Sequence, residues 1–171
     1  MFTFGERAAF VDTYATSLLL KYGDVIRCDV GCSFKGYKSD LSRTAVMGKP
    51  NDKIRKYYES VLVGQKKAIM SIKPGVEVSQ LFQNAMEGTK SAGLSHYSRV
   101  HCGHGIGLEV YEPPVIKNTD RTVLKTGMVI CVETPYYELG WGGVQVEDMV
   151  MVTDEGYRLL SKCGSSLLVL D

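Results

Sequence analysis

Lys21-Tyr-Gly-Asp-Val-Ile-Arg-Cys-Asp29-Val-Gly31 and Lys125-Thr-Gly-Met-Val-Ile-Cys-Val-Glu133-Thr-Pro135 follow one plan, and reading them together decides the fold. Each opens with Lys-x-Gly, continues through β-branched residues and places an acid six residues after its Gly. A second acid trails each copy: Asp40 in Ser39-Asp-Leu-Ser-Arg-Thr44, and Glu147 in Val144-Gln-Val-Glu-Asp148. Side chains alternate faces along a strand, so Asp29 points with Arg27 and Gly31, opposite Cys28 and Val30. A hairpin of 24–32 and 39–47 around a turn at 33–38 brings Asp29 and Asp40 face to face. Strands 127–134 and 144–152 do the same for Glu133 and Glu147.

The segments around these copies complete the outline. Residues 2–5 read as a short strand. Asp52 suits a helix N-cap, and apolar residues at three- and four-residue steps carry that helix to about Ser71, where Lys73-Pro-Gly75 stops it. A second helix spans about 79–91, with Gly93 as its C′ residue. Segments 98–112, 127–137, 143–152 and 156–161 look extended between Gly-rich turns. Strands, then two helices, then more strands predict an α+β fold with helices backing an antiparallel sheet, in one domain over 1–171.

The bulk composition is that of an ordinary soluble protein, 44% hydrophobic and 23% charged over 171 residues. A net charge of +1 gives no electrostatic reason to expect nucleic acid or a membrane surface as partner. No apolar stretch reaches the length of a bilayer span, and the N-terminus lacks the plan of a signal peptide. Five cysteines with no CxxC pair point to reduced thiols and a cytoplasmic setting. Cys28, Cys102 and Cys131 read as small packing residues of apolar runs.

Four carboxylates brought to one point repel one another. Each pair costs about 4 kcal/mol at about 4 Å and an effective dielectric near 20. Two divalent cations cancel that charge, and oxygen ligands with one imidazole suit Mn, Fe, Co or Zn. The imidazole on offer is His104 in His101-Cys-Gly-His104-Gly-Ile-Gly107, where glycines let backbone pack closely around it. Asp29, Glu133 and Glu147 lie within apolar runs, where an unpaired charge is expensive.

These motifs resemble the pita-bread metallopeptidase family, also called the creatinase/aminopeptidase-like fold. Its members include methionine aminopeptidase, aminopeptidase P and prolidase. The match extends over almost the whole chain, through Lys73-Pro-Gly75, Gly103-His104-Gly-Ile-Gly107, Glu112-Pro113-Pro114 and Gly142-Gly-Val-x-x-Glu147-Asp148. The last two look most like the Xaa-Pro peptidase branch. The resemblance implies that Asp29 binds one metal, that Asp40 and Glu147 bridge both, and that His104 and Glu133 hold the other. It further implies a hydroxide between the metals attacking an amide carbonyl, with Glu133 moving its proton.

Two positions depart from the family pattern. A His usually follows the metal His by about seven residues, and here that position is Tyr111; a second family His falls near Asp12. Tyr111 cannot shuttle protons near neutral pH, given a reference pKa of about 10. Tyr111, His101 and Trp141 are the candidates to line the substrate pocket, and His96 reads as solvent-exposed. The family's first-half helices are missing ahead of Phe2, so the chain reads as a fragment or as a piece completed by another chain, with homo-oligomerisation one way to cover its apolar sheet. The expected function is a dinuclear hydrolase acting on a small peptide, in the manner of an Xaa-Pro dipeptidase. The alternatives are a non-peptidase amidohydrolase and a protein-interaction module of the same fold.

Overall fold

A computed structural model describes residues 1–171. The strands are β1 (Phe2–Phe4), β2 (Val25–Val30), β3 (Ser33–Phe34), β4 (Tyr37–Lys38) and β5 (Leu41–Met47), followed by helices α1 (Asp52–Met70) and α2 (Val78–Ser91). The second strand set is β6 (Gly103–Gly105), β7 (Glu112–Val115), β8 (Val129–Glu133), β9 (Tyr136–Glu138), β10 (Gly142–Val144), β11 (Glu147–Thr153), β12 (Gly156–Leu159) and β13 (Leu168–Leu170). The main sheet runs β1-β2-β5-β11-β8-β6-β7. Outward from the central β5–β11 pair, β2 matches β8 and β1 matches β6, so the duplication in sequence is a pseudo-two-fold in strand order. All pairings along this path are antiparallel.

Register pairs the two acids of the second copy directly and sets those of the first copy two residues apart. Asp29 lies opposite Ser42, and Asp40 stands just before β5 begins. Glu147 lies directly opposite Glu133 on one side and Ser42 on the other. The other face of the sheet carries the core. Ile130 and Val132 of β8 and Val150 and Val152 of β11 pack against Ala68 and Ile69 of α1 and Leu81 and Ala85 of α2. Strand alternation thus sends these aliphatic residues to the helices and Glu133 and Glu147 to the opposite side.

Three expectations need correcting. The N-cap of α1 is Asn51, whose side-chain oxygen accepts from the Ile54 amide at 2.9 Å; Asp52 sits in the first turn, where its charge suits the helix dipole. Segment 98–112 is mostly loop, because only 103–105 and its last residue, Glu112, pair with the sheet. Segment 143–152 is two strands broken at Gln145–Val146, since the Thr44 side chain takes over the Gln145 backbone. Residues 10–23 run without regular structure and leave Tyr14, Leu19 and Tyr22 in water.

Candidate metal centre

The site grows from the seam between β5 and β11, where three consecutive residues each secure one part of the facing strand. Ser42 Oγ donates to Glu147 Oε2 at 2.8 Å. Arg43 pairs with Asp148 at 2.5 Å, both side chains buried, and also donates to the Glu147 carbonyl at 2.6 Å. Thr44 exchanges hydrogen bonds of 2.8 Å with the backbone of Gln145. The far oxygen of Asp148 accepts from Gln65 of α1 at 2.9 Å, so every polar group of this buried seam is matched.

Gln145 then joins the two halves. Its Nε2 donates to Asp29 Oδ2 at 3.0 Å and to Glu133 Oε2 at 3.4 Å, while its Oε1 accepts from buried Arg27 at 3.2 Å. Sequence reasoning missed Gln145, although it stands two residues before Glu147 in an alternating run. His104 is aimed by its own hydrogen bond: Nδ1–H donates to the Gly105 carbonyl at 3.0 Å and leaves the Nε2 lone pair free. That Nε2 lies 3.9 Å from both Asp40 Oδ2 and Glu147 Oε1. Gly103 makes this approach possible, because at its φ of +135° a Cβ would collide with the Cys131 carbonyl oxygen.

The donor set fits divalent cations. Asp40, His104, Glu147 and Cys131 each offer an atom, all within 4.8 Å of one another. Burial, then the charge of Asp29, pushes Asp40 up to about 6. Burial, with Asp29 and Asp40 beside it, pushes Glu133 up to about 7, against the pull of the Arg99 guanidinium. Glu147 is held well above the carboxylate range by burial and by Glu133, Asp40 and Asp29. Burial lowers His104, keeping its imidazole neutral and able to ligate. Such acids crowded without cations are the arrangement that bound charge would relieve.

The remaining candidates separate. His101 turns inward, with Nδ1 3.5 Å from Glu133 Oε1. Tyr111 stacks on His104 with ring centroids 4.0 Å apart and brings its hydroxyl to 3.3 Å from His101 Nδ1. Trp141 packs edge-on against Tyr57 and under the Lys53 ammonium, on the side of α1. Asp12 is exposed, as is His96, which bonds the Tyr136 hydroxyl at 2.8 Å. Cys102 is a core residue, as expected from sequence. Cys131 is the correction: its thiol faces the acids, because Ile130 and Val132 take the core side of β8. A cavity of about 530 Å3 opens beside Asp29 and Asp40, lined also by Ser39 and Val110.

The model of metallopeptidase family M24 matches residues 1–154. The chain is similar to an Xaa-Pro dipeptidase of Pyrococcus furiosus, 41% identical over 164 residues, which is 96% of this chain and 47% of that relative. Among solved structures it is similar to prolidase from Pyrococcus furiosus, with a TM-score of 0.91 at 40% identity over 96% of this chain and 49% of that one. The dipeptidase PepE from Mycobacterium ulcerans superposes with a TM-score of 0.94 at 30% identity, over 99% of this chain and 46% of that one. The chain spans about half the length of these relatives.

Proposed function

The chain belongs to metallopeptidase family M24 and has its pita-bread fold, and from that premise we propose a dinuclear metal-dependent hydrolase that cleaves the amide bond of an Xaa-Pro dipeptide or similarly small peptide. The observation that carries this is that Asp40 and Glu147, one from each of two like strand pairs, both lie 3.9 Å from His104 Nε2, while Gln145 bonds both Asp29 and Glu133 beside them. Asp40 and Glu147 would be shared between two ions; Asp29 would complete one side, and His104 with Glu133 the other. When bound, such ions (Mn, Co, Zn or Fe) polarise a carbonyl and lower the pKa of a water.

The chain's own groups do the rest. Glu133 Oε1, beside His101, carries a proton from the attacking water to the leaving amine. Gln145 keeps Glu133 and Asp29 in fixed register by bonding both. The Tyr111 hydroxyl, raised by burial, stays protonated and serves as a hydrogen-bond donor at the mouth, with His101 as its neighbour. The full set of five donors favours an enzyme over an interaction module. Tyr111 and Asp12, standing where family peptidases carry His, favour a non-peptide amide as substrate.

The test is hydrolysis by chelator-free protein supplied with Mn2+ or Co2+. Release of proline from Xaa-Pro dipeptides is the expected result. Bound metal with turnover of a non-peptide amide but of no dipeptide would move the protein to the amidohydrolase reading.

A further inference from the structure

Cys131 sits in the middle of the acid face. In register it lies opposite His104 on β6 and opposite Met149 on β11. Two residues along the same face of β8 is Glu133, and diagonally across β11 is Glu147. The residue is fully buried, yet it belongs to no apolar cluster, in contrast to Cys102 in the helix-packed core. Its Sγ instead lies within 4.8 Å of donor atoms from Asp40, His104 and Glu147. A second sulfur adjoins it: Met149 Sδ accepts from the Asp40 amide at 3.3 Å. The opposite side of the site, around Asp29 and Gln145, presents oxygen and amide groups.

We propose that Cys131 is itself a metal ligand, giving the His104 side of the centre a sulfur donor and a preference for thiophilic divalent ions of the Zn2+ or Co2+ class. This deepens the two-cation reading and rests on it. On coordination the Cys131 S–H bond breaks, its proton leaves to solvent, and the thiolate forms the bond to the ion. Imidazole and thiolate together select borderline ions, whereas the all-oxygen side suits harder ones such as Mn2+. The two halves of one duplicated site would therefore load different metals.

Cobalt titration of the metal-free protein, followed by absorption spectroscopy, tests this. The expected result is visible d–d bands together with a near-ultraviolet thiolate-to-cobalt charge-transfer band. Cys131→Ser should abolish the charge-transfer band and keep the d–d bands. It should also weaken Zn2+ binding by more than the about 10–100-fold that an outer-shell partner is worth, with Mn2+ affinity little changed. Far-ultraviolet circular dichroism checks that the variant folds, and Cys131→Ala serves in its place if it does not. Wild-type d–d bands without charge transfer would overturn the thiolate ligand and leave the two-cation reading standing. A charge-transfer band that survives in both variants belongs to another cysteine and would overturn it too. No cobalt bands at all would overturn both.

Discussion

The two hairpins share a plan and differ in depth. In the first, Asp29 and Asp40 are half-buried and border an open cavity. In the second, Glu133 and Glu147 are only 8% and 2% exposed, under an imidazole, a thiol and the helix-backed core. Burial and the neighbouring carboxylates raise all three: Asp40 to about 6, Glu133 to about 7, and Glu147 well above the carboxylate range. One strand-turn-strand design thus yields an open, all-oxygen half and a closed half of mixed donors. The difference comes from what flanks each hairpin. Strand β6 brings His104 beside β8, whereas the equivalent place next to β2 is taken by β1, which reads Phe-Thr-Phe.

The sharpest way to break this comparison is to remove one acid from each half. Glu147→Ala should abolish binding of both ions and all activity, because that buried carboxylate is the one proposed to be shared. Asp29→Ala should lose one ion and keep the other, as elemental analysis of the purified variants would reveal. Equal losses would mean that the halves are not distinct. Next in size is Gln145→Ala, which cuts the tie between halves while leaving all four acids in place. Metal affinity by calorimetric titration should fall about 10–100-fold, the usual worth of an outer-shell partner.

Tyr111→His probes the mouth of the closed half. An imidazole there should raise dipeptide turnover by about tenfold, equal to about 1.4 kcal/mol of barrier. A flat or lower rate would give Tyr111 a task of its own. The smallest effect is a pH dependence of the metal-free fold. Asp40 and Glu133 titrate in the folded protein at about 6 and about 7, above the ordinary carboxylate value of about 4. A folded acid with a raised pKa holds its proton more tightly than the unfolded chain does. Its stabilising contribution is complete below about pH 4 and is lost as pH rises through about 7. Chelated protein should therefore melt at a higher temperature near about pH 5 than near about pH 8. The opposite order would mean that the acids do not crowd one another.

Much of this comparison was legible in the sequence. The Lys-x-Gly openings and the six-residue spacing to Asp29 and Glu133 announced the hairpins, and β-branched runs made the acids within them anomalous. Other parts were hidden for physical reasons. His101-Cys-Gly-His104-Gly carries too many glycines for alternation to betray how short β6 is. Val144-Gln-Val-Glu looks continuous, and only the tertiary bonds from Thr44 to Gln145 reveal the break. Gln145 was invisible as a bridge because its partners, Asp29 and Glu133, belong to different halves. The direction of Cys131 did follow from alternation with Ile130 and Val132, but an apolar run disguised it.

Anomalous diffraction from chelator-free crystals, collected at the absorption edge of the metal found by elemental analysis, addresses the central claim directly. Two peaks per chain are predicted between the carboxylates of Asp40 and Glu147, one toward Asp29 and the other toward His104. Carboxylates meeting around ordered water with no peak, in protein never exposed to chelator, would contradict it.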